Sequence, residues 1–468
     1  MRGGDADSGV VEQYGVEAIP ARLRTAGVRD LFGIAFTFTL TPLNYVLGAI
    51  AVTAADLPLW WAAAAIGLGA VAGVTVLLVV GCAGVDYGLP GQVAMRGTFG
   101  ILGARLLTSP YRLIAATYWF AAQALAGGLG IQALLRGLLG EAPPLVALAL
   151  SIAVLQAILA ALGFDALRYV VRLLLPLMIG FTGVLVGLLV ASDDPRYAVS
   201  RVLGDDSGRE LTWAGLASMI TVMAGAQLTN VTSIADFFRY GASRRAVATG
   251  FFAGAVTGCF VTAWVGAYAA TASGELNPFV AVPDVTGSLA LLAIMLVAIF
   301  AQTTAVNIMN IYSGGLSLVN AAPRLGRFRS TVAVGVVGVA FAGLPDLVNQ
   351  AADWITHLGN VGTPLAGVIL ADYALLKRMR LDVPALYEPA GRYRYLAGLN
   401  PAAIAATLAA VAVYYVVDDA WLKAAWGVGA GAALYVAFAA IQGRLLPGTR
   451  AAMAPGTEAT VPAVAARG

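Results

Sequence analysis

The sequence predicts an all-α polytopic membrane protein of about twelve transmembrane helices, and three observations predict it. Hydrophobic residues make up 60% of the 468 positions and charged residues 11%, with a mean hydropathy of +0.83; a soluble domain carries about 25% charge. The apolar residues gather into long uncharged segments, and about 20 of them suffice to cross the hydrocarbon core as a helix. The Lys and Arg residues fall almost wholly on every second connection between those segments, as expected of a protein held in one orientation. A barrel would show strictly alternating segments of about 10 residues instead.

Each span is bounded by the charges that flank it. Span 1 (31–55) lies between Asp30 and Asp56, span 2 (57–85) between Asp56 and Asp86, and span 3 (113–135) between Arg112 and Arg136. Span 4 (142–164) follows Glu141, span 5 (173–192) lies between Arg172 and Asp193, and span 6 (211–235) between Glu210 and Asp236. Span 7 (246–274) runs from Arg245 to Glu275, and span 8 (285–323), between Asp284 and Arg324, is long enough for a span plus a flanking helix. Span 9 (330–345) is short. Span 10 (354–371) is expected to begin before Asp353, span 11 (395–417) ends at Asp418, and span 12 (424–443) lies between Lys423 and Arg444.

With the N-terminus in the cytoplasm, all 28 cationic residues except Arg136, Arg196, Arg201, Arg209 and Lys423 fall on the cytoplasmic side. The opposite side is acidic, with Asp193, Asp194, Asp205, Asp206, Glu210, Asp418 and Asp419 among its residues. The expectation is a multi-pass plasma-membrane protein with both termini inside. The net charge of +3 is an orientation signal and gives no warrant for nucleic-acid binding. Residues 1–28 lack the basic-then-apolar layout of a signal peptide. They read as a loose tail, as does 447–468. Cys82 and Cys259 have no ligand spacing around them, so neither a disulfide nor a metal site is indicated.

Two spans look broken. Span 1 contains Thr37-Phe38-Thr39-Leu40-Thr41-Pro42-Leu43-Asn44, where Pro42 removes a backbone donor and frees a carbonyl one turn earlier. Span 6 contains Gly225-Ala226-Gln227-Leu228-Thr229-Asn230-Val231-Thr232-Ser233, too polar for a lipid-facing helix. Irregular backbone at membrane depth is tolerated only where it lines a cavity. Either span alone would more often be a packed kink with hydroxyls bonded to the preceding turn. Together they stand at matching positions of two oppositely oriented five-helix units, the sign of an inverted-repeat secondary transporter. The repeats are expected at 29–192 and 193–376, with 377–446 supplying two additional helices.

Other polar clusters fit around such a centre. Trp119 and Gln123 of span 3 are four apart and share a helix face; an indole beside an amide can stack on a flat ring and read its edge, although an interfacial or packing Trp is an even alternative. In span 8, Thr303, Asn307 and Asn310 follow the rhythm of one helix face, and either substrate binding or interhelical hydrogen bonding would use them. Among ionisable groups, Asp353 and His357 at the start of span 10 are expected to pair with each other near the outer face. Asp236, Arg239, Asp372 and Lys377-Arg378 read as solvated or gate-like helix-end charges. With no buried acid evident near the breaks, the centre suits a neutral, hydrogen-bonding substrate.

These clusters resemble the nucleobase–cation symporter family, which includes cytosine and purine permeases and hydantoin transporters. The resemblance rests on Phe36-Thr37-Phe38-Thr39-Leu40-Thr41-Pro42, Gly88-Leu89-Pro90 with Arg96-Gly97-Thr98-Phe99-Gly100, Trp119-Phe120-Ala121-Ala122-Gln123, Ile234-Ala235-Asp236-Phe237-Phe238-Arg239-Tyr240, Pro364-Leu365-Ala366-Gly367-Val368-Ile369-Leu370-Ala371-Asp372-Tyr373 and Gly398-Leu399-Asn400-Pro401. It implies a leucine-transporter-like fold, a 5+5 inverted repeat plus two helices, and uptake of a planar heterocycle driven by Na+ or H+ through alternating access. It also implies that Trp119 stacks on the substrate and Gln123 hydrogen-bonds it. Gln227 stands where relatives have a closing aromatic, so it reads as another amide for the ring edge, with Thr229 nearby. Either Asn307 or Asn310 is the span-8 substrate amide. A sodium site would use the Phe36 and Thr39 carbonyls with the Thr303 and Thr304 hydroxyls, and Ala305 at an aligned hydroxyl position would weaken it. No cofactor and no obligatory protein partner are expected; the heterocycle and the lipid bilayer are the implied partners. A passive channel for small neutral solutes is the alternative, and an integral membrane enzyme is disfavoured because no HExxH or triad-like constellation occurs.

Overall fold

The computed structural model describes residues 15–161, 164–204 and 208–456, with the side chains of 164–174, Asn349 and Asp419 outside that description. The far parts of both predicted tails, the side chains of Arg168 and Arg172 and the pair Asp205–Asp206 therefore lie outside the described residues. Among those described there is no strand, only isolated bridges at Ala26–Gly241 and Leu396–Leu399.

The helices follow the predicted order. Span 1 is two helices, Val28–Thr39 and Pro42–Thr53, inclined by 60° to one another. Pro42 does not kink a continuous helix: it occupies the first turn of the second one, where its missing N–H would have no partner anyway. Span 2 is Leu59–Val80, extended by Cys82–Tyr87, and span 3 is Ser109–Leu139. Spans 4 and 5 are Leu145–Ala161 and Phe164–Val190. Span 6, Trp213–Leu228, gives way to a run of turns before the short helix Ala235–Phe238. Span 7 is Arg244–Ser273, with one π-helical turn at Val247–Phe251. Span 8 is a single 33-residue helix, Leu289–Ala321, and the flanking helix is a separate piece, Pro278–Val285. Span 9 is Gly326–Phe341; span 10 begins at Ala351, ahead of Asp353 as expected, and runs to Leu376. Spans 11 and 12 are Pro401–Val416 and Lys423–Leu445.

Burial separates the centre from the rim. In the most apolar stretch of Gly91–Leu139, 89% of residues are buried, against 28% for Lys423–Leu445. Span 3 therefore belongs to the core of the bundle, while span 12 leaves most of its surface to lipid. Span 3 packs along span 8, span 2 along spans 6 and 7, and the second half of span 1 along span 7. That last pair meets at backbone distance: a Cβ on Gly266 would strike the carbonyl of Tyr45.

One helix was not foreseen. Gly91–Gly103, between spans 2 and 3, is buried even at Gln92, Arg96 and Thr98. Its end meets the loop before span 11. Gly100, at φ +79°, brings Leu102 N to 2.9 Å from the Gly398 carbonyl, and Asn400 Nδ2 donates to the Thr98 carbonyl at 2.7 Å. Two of the family-like segments are thus one docking joint.

Several charges lie deeper than the sequence suggested. Arg112, Asp236, Arg239, Asp372 and Lys377 are fully buried. Lys377 pairs with Asp372, whose other oxygen accepts from Tyr435 Oη at 2.6 Å. The reading of Asp236, Arg239, Asp372 and Lys377 as solvated helix ends is therefore corrected: Gly91 and Ser313 bond Asp236, Tyr312 bonds Arg239, and Thr98 and Tyr435 bond Asp372, and a buried charge persists only when paired or hydrogen-bonded. Asp353 and His357 are exposed and form no bond with each other, so their expected pairing is also corrected.

Candidate functional site

The two breaks open on one cavity. It is lined by Phe38, Thr39, Thr41 and Asn44 from span 1, Trp119 and Gln123 from span 3, Met223, Ala226, Gln227 and Asn230 from span 6, and Val306 and Asn310 from span 8. No charged side chain lines it. Gly73 of span 2 holds span 6 close, since a Cβ there would press on Gln227 Cβ at 2.6 Å.

The broken backbone of span 1 is satisfied locally, which is why the chain can open without orphaning its polar groups. Leu40 N donates to the Phe36 carbonyl at 2.9 Å, as does Thr39 Oγ1 at 3.0 Å. The Thr39 carbonyl accepts from Thr41 N at 2.9 Å and Asn44 Nδ2 at 2.7 Å. Gln123 bridges span 3 to this break: its Nε2 donates to Thr41 Oγ1 at 2.9 Å, and Leu43 N donates to its Oε1 at 3.3 Å. The span-6 break is a series of tight turns, with Asn230 N donating to the Gln227 carbonyl and Val231 N to the Leu228 carbonyl, each at 3.1 Å.

Trp119 is 8% exposed, and its Nε1 donates to Thr229 Oγ1 at 2.9 Å, which in turn donates to the Ala226 carbonyl at 2.7 Å. Thr229 thus stands behind the indole and does not line the cavity. Gln227 does line it, with Nε2 directed to Cys259 Sγ at 3.4 Å. Of the two span-8 amides, Asn310 lines the cavity and Asn307 does not; Asn307 is tied to span 3 through the Phe120 carbonyl and to span 4 through Gln156.

Of the four residues expected to hold sodium, Phe36 and Thr39 are joined to each other, while Thr303 and Thr304 have their contacts with spans 3 and 4. Phe36 and Leu40 of span 1, Met178 of span 5 and Ala305 of span 8 share one small buried apolar cluster. Successive helix residues turn by about 100°, so Thr304 and Thr303 are carried round to other neighbours. Thr304 Oγ1 accepts from Gln156 Nε2 of span 4 at 3.2 Å, while Thr303 abuts Gly127 of span 3 and donates to the Ile299 and Phe300 carbonyls at 2.9 and 3.0 Å. The Phe36 and Thr39 carbonyls already have the partners given above.

Sequence reasoning missed Phe38 as a second aromatic of the lining, Asn44 and Asn230 as lining amides, and the ionic group beneath them. Asn230 Oδ1 accepts from Arg112 Nη1 at 3.0 Å, Arg112 Nε donates to Ser313 Oγ at 3.0 Å, and Ser313 Oγ donates to Asp236 Oδ2 at 3.2 Å. Asp236 Oδ1 accepts from Gly91 N at 2.7 Å. A buried acid therefore does lie near the breaks, contrary to expectation, but it is committed to this network and the cavity wall stays neutral. The signal was the adjacency of Asp236 to the span-6 break; its depth depends on the unforeseen helix at Gly91.

Residues 18–439 match the family described as permease for cytosine/purines, uracil, thiamine and allantoin. The chain belongs to this permease family. The hydantoin permease of Microbacterium maritypicum is 25% identical over 418 residues, which cover 85% of this permease and 82% of that protein. The allantoin permease of Bacillus subtilis (strain 168) is 25% identical over 377 residues, 75% of this chain and 76% of its own. The purine-uracil permease NCS1 of Arabidopsis thaliana is 26% identical over 357 residues, 70% of this chain and 58% of its own. In structure the permease resembles Mhp1, a nucleobase-cation-symport-1 family transporter in a closed conformation with bromovinylhydantoin bound, at a TM-score of 0.81 and 21% identity, covering 95% of this chain and 99% of Mhp1. That likeness speaks for the fold, which is leucine-transporter-like.

Proposed function

We propose that this permease imports a neutral planar nitrogen heterocycle, a nucleobase or a close relative of one, with Na+ or H+ by alternating access. The observation that carries the reading is the meeting of both helix breaks with Trp119, Gln123 and Asn310 in one uncharged cavity. Trp119 supplies a stacking face, worth about 1–3 kcal/mol for a base–aromatic contact, and Phe38 offers an aromatic of span 1 on the same lining. Gln123, Gln227 and Asn310 supply directional hydrogen bonds. Because Gln123 also holds the Thr41–Leu43 turn, a ligand that competes for its amide loosens span 3 from the span-1 break. That is the contact through which binding can bias the rocking of the bundle. The names of the hydantoin, allantoin and purine-uracil relatives support a ring with an amide-like edge.

The coupling cation is Na+ or H+. The orientation of Thr303 and Thr304 argues against a sodium site built on their hydroxyls. The alternating distribution of cationic residues supports a plasma-membrane protein with both termini in the cytoplasm.

Reconstitution into liposomes tests this. Radiolabelled cytosine, uracil, hypoxanthine, hydantoin and allantoin are offered under an imposed Na+ or proton gradient. Accumulation above equilibrium is expected, and Trp119→Ala should raise the half-saturating concentration by about 5- to 150-fold, the equivalent of the stacking energy. Equilibration without accumulation establishes the passive facilitator instead. Full activity of Trp119→Ala at low substrate removes that residue from the site.

A further inference from the structure

Two amides on the cavity wall, Asn310 and Asn44, have their orientation dictated by their neighbours, and each keeps an oxygen with no hydrogen bond among the described residues. A main-chain carbonyl only accepts hydrogen bonds. The Asn307 group 3.0 Å from the Phe120 carbonyl must therefore be its NH2, which also donates to Gln156 Oε1 at 2.7 Å. Asn307 is left with only its Oδ1 to offer Asn310. The Asn310 atom that meets it at 3.4 Å must then be nitrogen, and Asn310 Oδ1 receives no hydrogen bond among the described residues. Asn44 is settled in the same way: its Nδ2 donates to the Thr39 carbonyl at 2.7 Å, and its Oδ1 receives no hydrogen bond among the described residues. On the span-6 side the polarity is reversed. A guanidinium only donates, so Arg112 engages Asn230 through Oδ1 and leaves its nitrogen, held only by a long contact of 3.4 Å to the Gln227 carbonyl.

We infer that Gln156 and Asn307, which do not line the cavity, are positioning residues that hold the Asn310 amide with its oxygen free and so set the preference for a ring N–H donor at that point. The inference rests on the heterocycle-permease reading above. The ring N–H donates to Asn310 Oδ1, with Asn44 Oδ1 as a second acceptor, and the ring carbonyl accepts from Asn230 Nδ2. An amide that could turn freely would serve an acceptor edge equally well. The Gln156–Asn307–Phe120 brace removes that freedom, because turning Asn310 would set two amide oxygens against each other. The brace joins spans 3, 4 and 8, and both Gln156 and Asn307 are fully buried, so the polarity is built into the packed bundle.

The test measures equilibrium binding to the purified full-length permease of cytosine, uracil, hypoxanthine and hydantoin, each beside its ring N-methyl derivatives. N-methylation at the bound edge is expected to weaken binding at least about tenfold, because an acceptor is left unpaired in a desolvated site. Asn310→Leu should lower the parent's affinity to that of its N-methyl derivative. Asn307→Leu, which frees the Asn310 amide, should narrow the parent-to-methyl ratio to within about threefold, and Gln156→Leu, which leaves Asn307 held by the Phe120 carbonyl alone, should narrow it by less. General loosening of the bundle lowers both affinities together and leaves the ratio alone, so the ratio separates positioning from packing. If the wild type binds a parent and all its N-methyl derivatives equally, the inference is overturned while the permease reading stands. If the wild-type ratio is large but unchanged in every folded variant at Asn307 and Gln156, their positioning role is overturned. If no heterocycle binds the wild type, the functional reading falls and takes this one with it.

Discussion

Thr229→Val should destabilise the permease more than the same change combined with Trp119→Phe. Valine keeps the shape of threonine and removes only the oxygen that accepts from Trp119 Nε1 at 2.9 Å. Thr229 is fully buried and Trp119 nearly so, so no bulk water replaces the lost partner. An orphaned donor in that setting costs about 1–3 kcal/mol, whereas an intact neutral hydrogen bond contributes only about 0.5–1.5 kcal/mol net. Removing both partners therefore costs less than removing the acceptor alone, because Phe at 119 has no N–H to strand. The indole is also held edge-on by Tyr118, with ring centroids 5.6 Å apart, so it cannot swing away cheaply to find another acceptor. The assay is apparent unfolding free energy in detergent for the wild type, both single variants and the double variant. Thr229→Ser, which keeps the oxygen, should stay within about 0.5 kcal/mol of wild type, the usual scatter of substitutions that break no such feature. Additive losses in the double variant, or a Thr229→Val protein as stable as wild type, would refute the claim that this bond fixes the stacking face.

Three further outcomes follow from the packing. Thr303→Val and Thr304→Val should leave any Na+ dependence of uptake unchanged, since neither hydroxyl is directed at the span-1 carbonyls; an increase of tenfold or more in the half-activating Na+ concentration would show the opposite. Gly266→Val should fail to yield folded protein or cost at least about 1–3 kcal/mol, the usual overpacking penalty, because its side chain would meet the Tyr45 carbonyl; normal size-exclusion behaviour and stability would contradict that. Lys377→Met strands the Asp372 carboxylate and should cost about 3–5 kcal/mol, while Asp372→Asn with Lys377→Met recovers part of the loss. Stability measurements on both would show it, and a double variant no more stable than Lys377→Met would contradict the stranding of Asp372.

Much of the architecture was legible because a bilayer imposes constraints that act on composition alone. Uncharged length between charges located each span, and the two polar interruptions pointed to the centre, since backbone polar groups at that depth must have partners inside the protein. Misreadings arose where a residue's environment is made by distant chain. Arg112 and Asp236 look like membrane-edge charges in sequence; the helix beginning at Gly91 and Ser313 of span 8 turn them into a buried network. Asp353 and His357 have helical spacing suited to pairing, yet both face outward and do not meet.

The sequence by itself determined that the chain is a bundle of membrane helices, which two helices break, and which side chains are available at the breaks. Only the tertiary structure decided that Asn310 and not Asn307 lines the cavity, that Thr229 stands behind Trp119, and that Thr303 and Thr304 meet spans 3 and 4. The physical reason is that helical spacing sets relative angles around one helix but not its rotation against its neighbours. That rotation is set by contacts such as Thr303 on Gly127 and Asn307 on the Phe120 carbonyl, which join residues far apart along the chain.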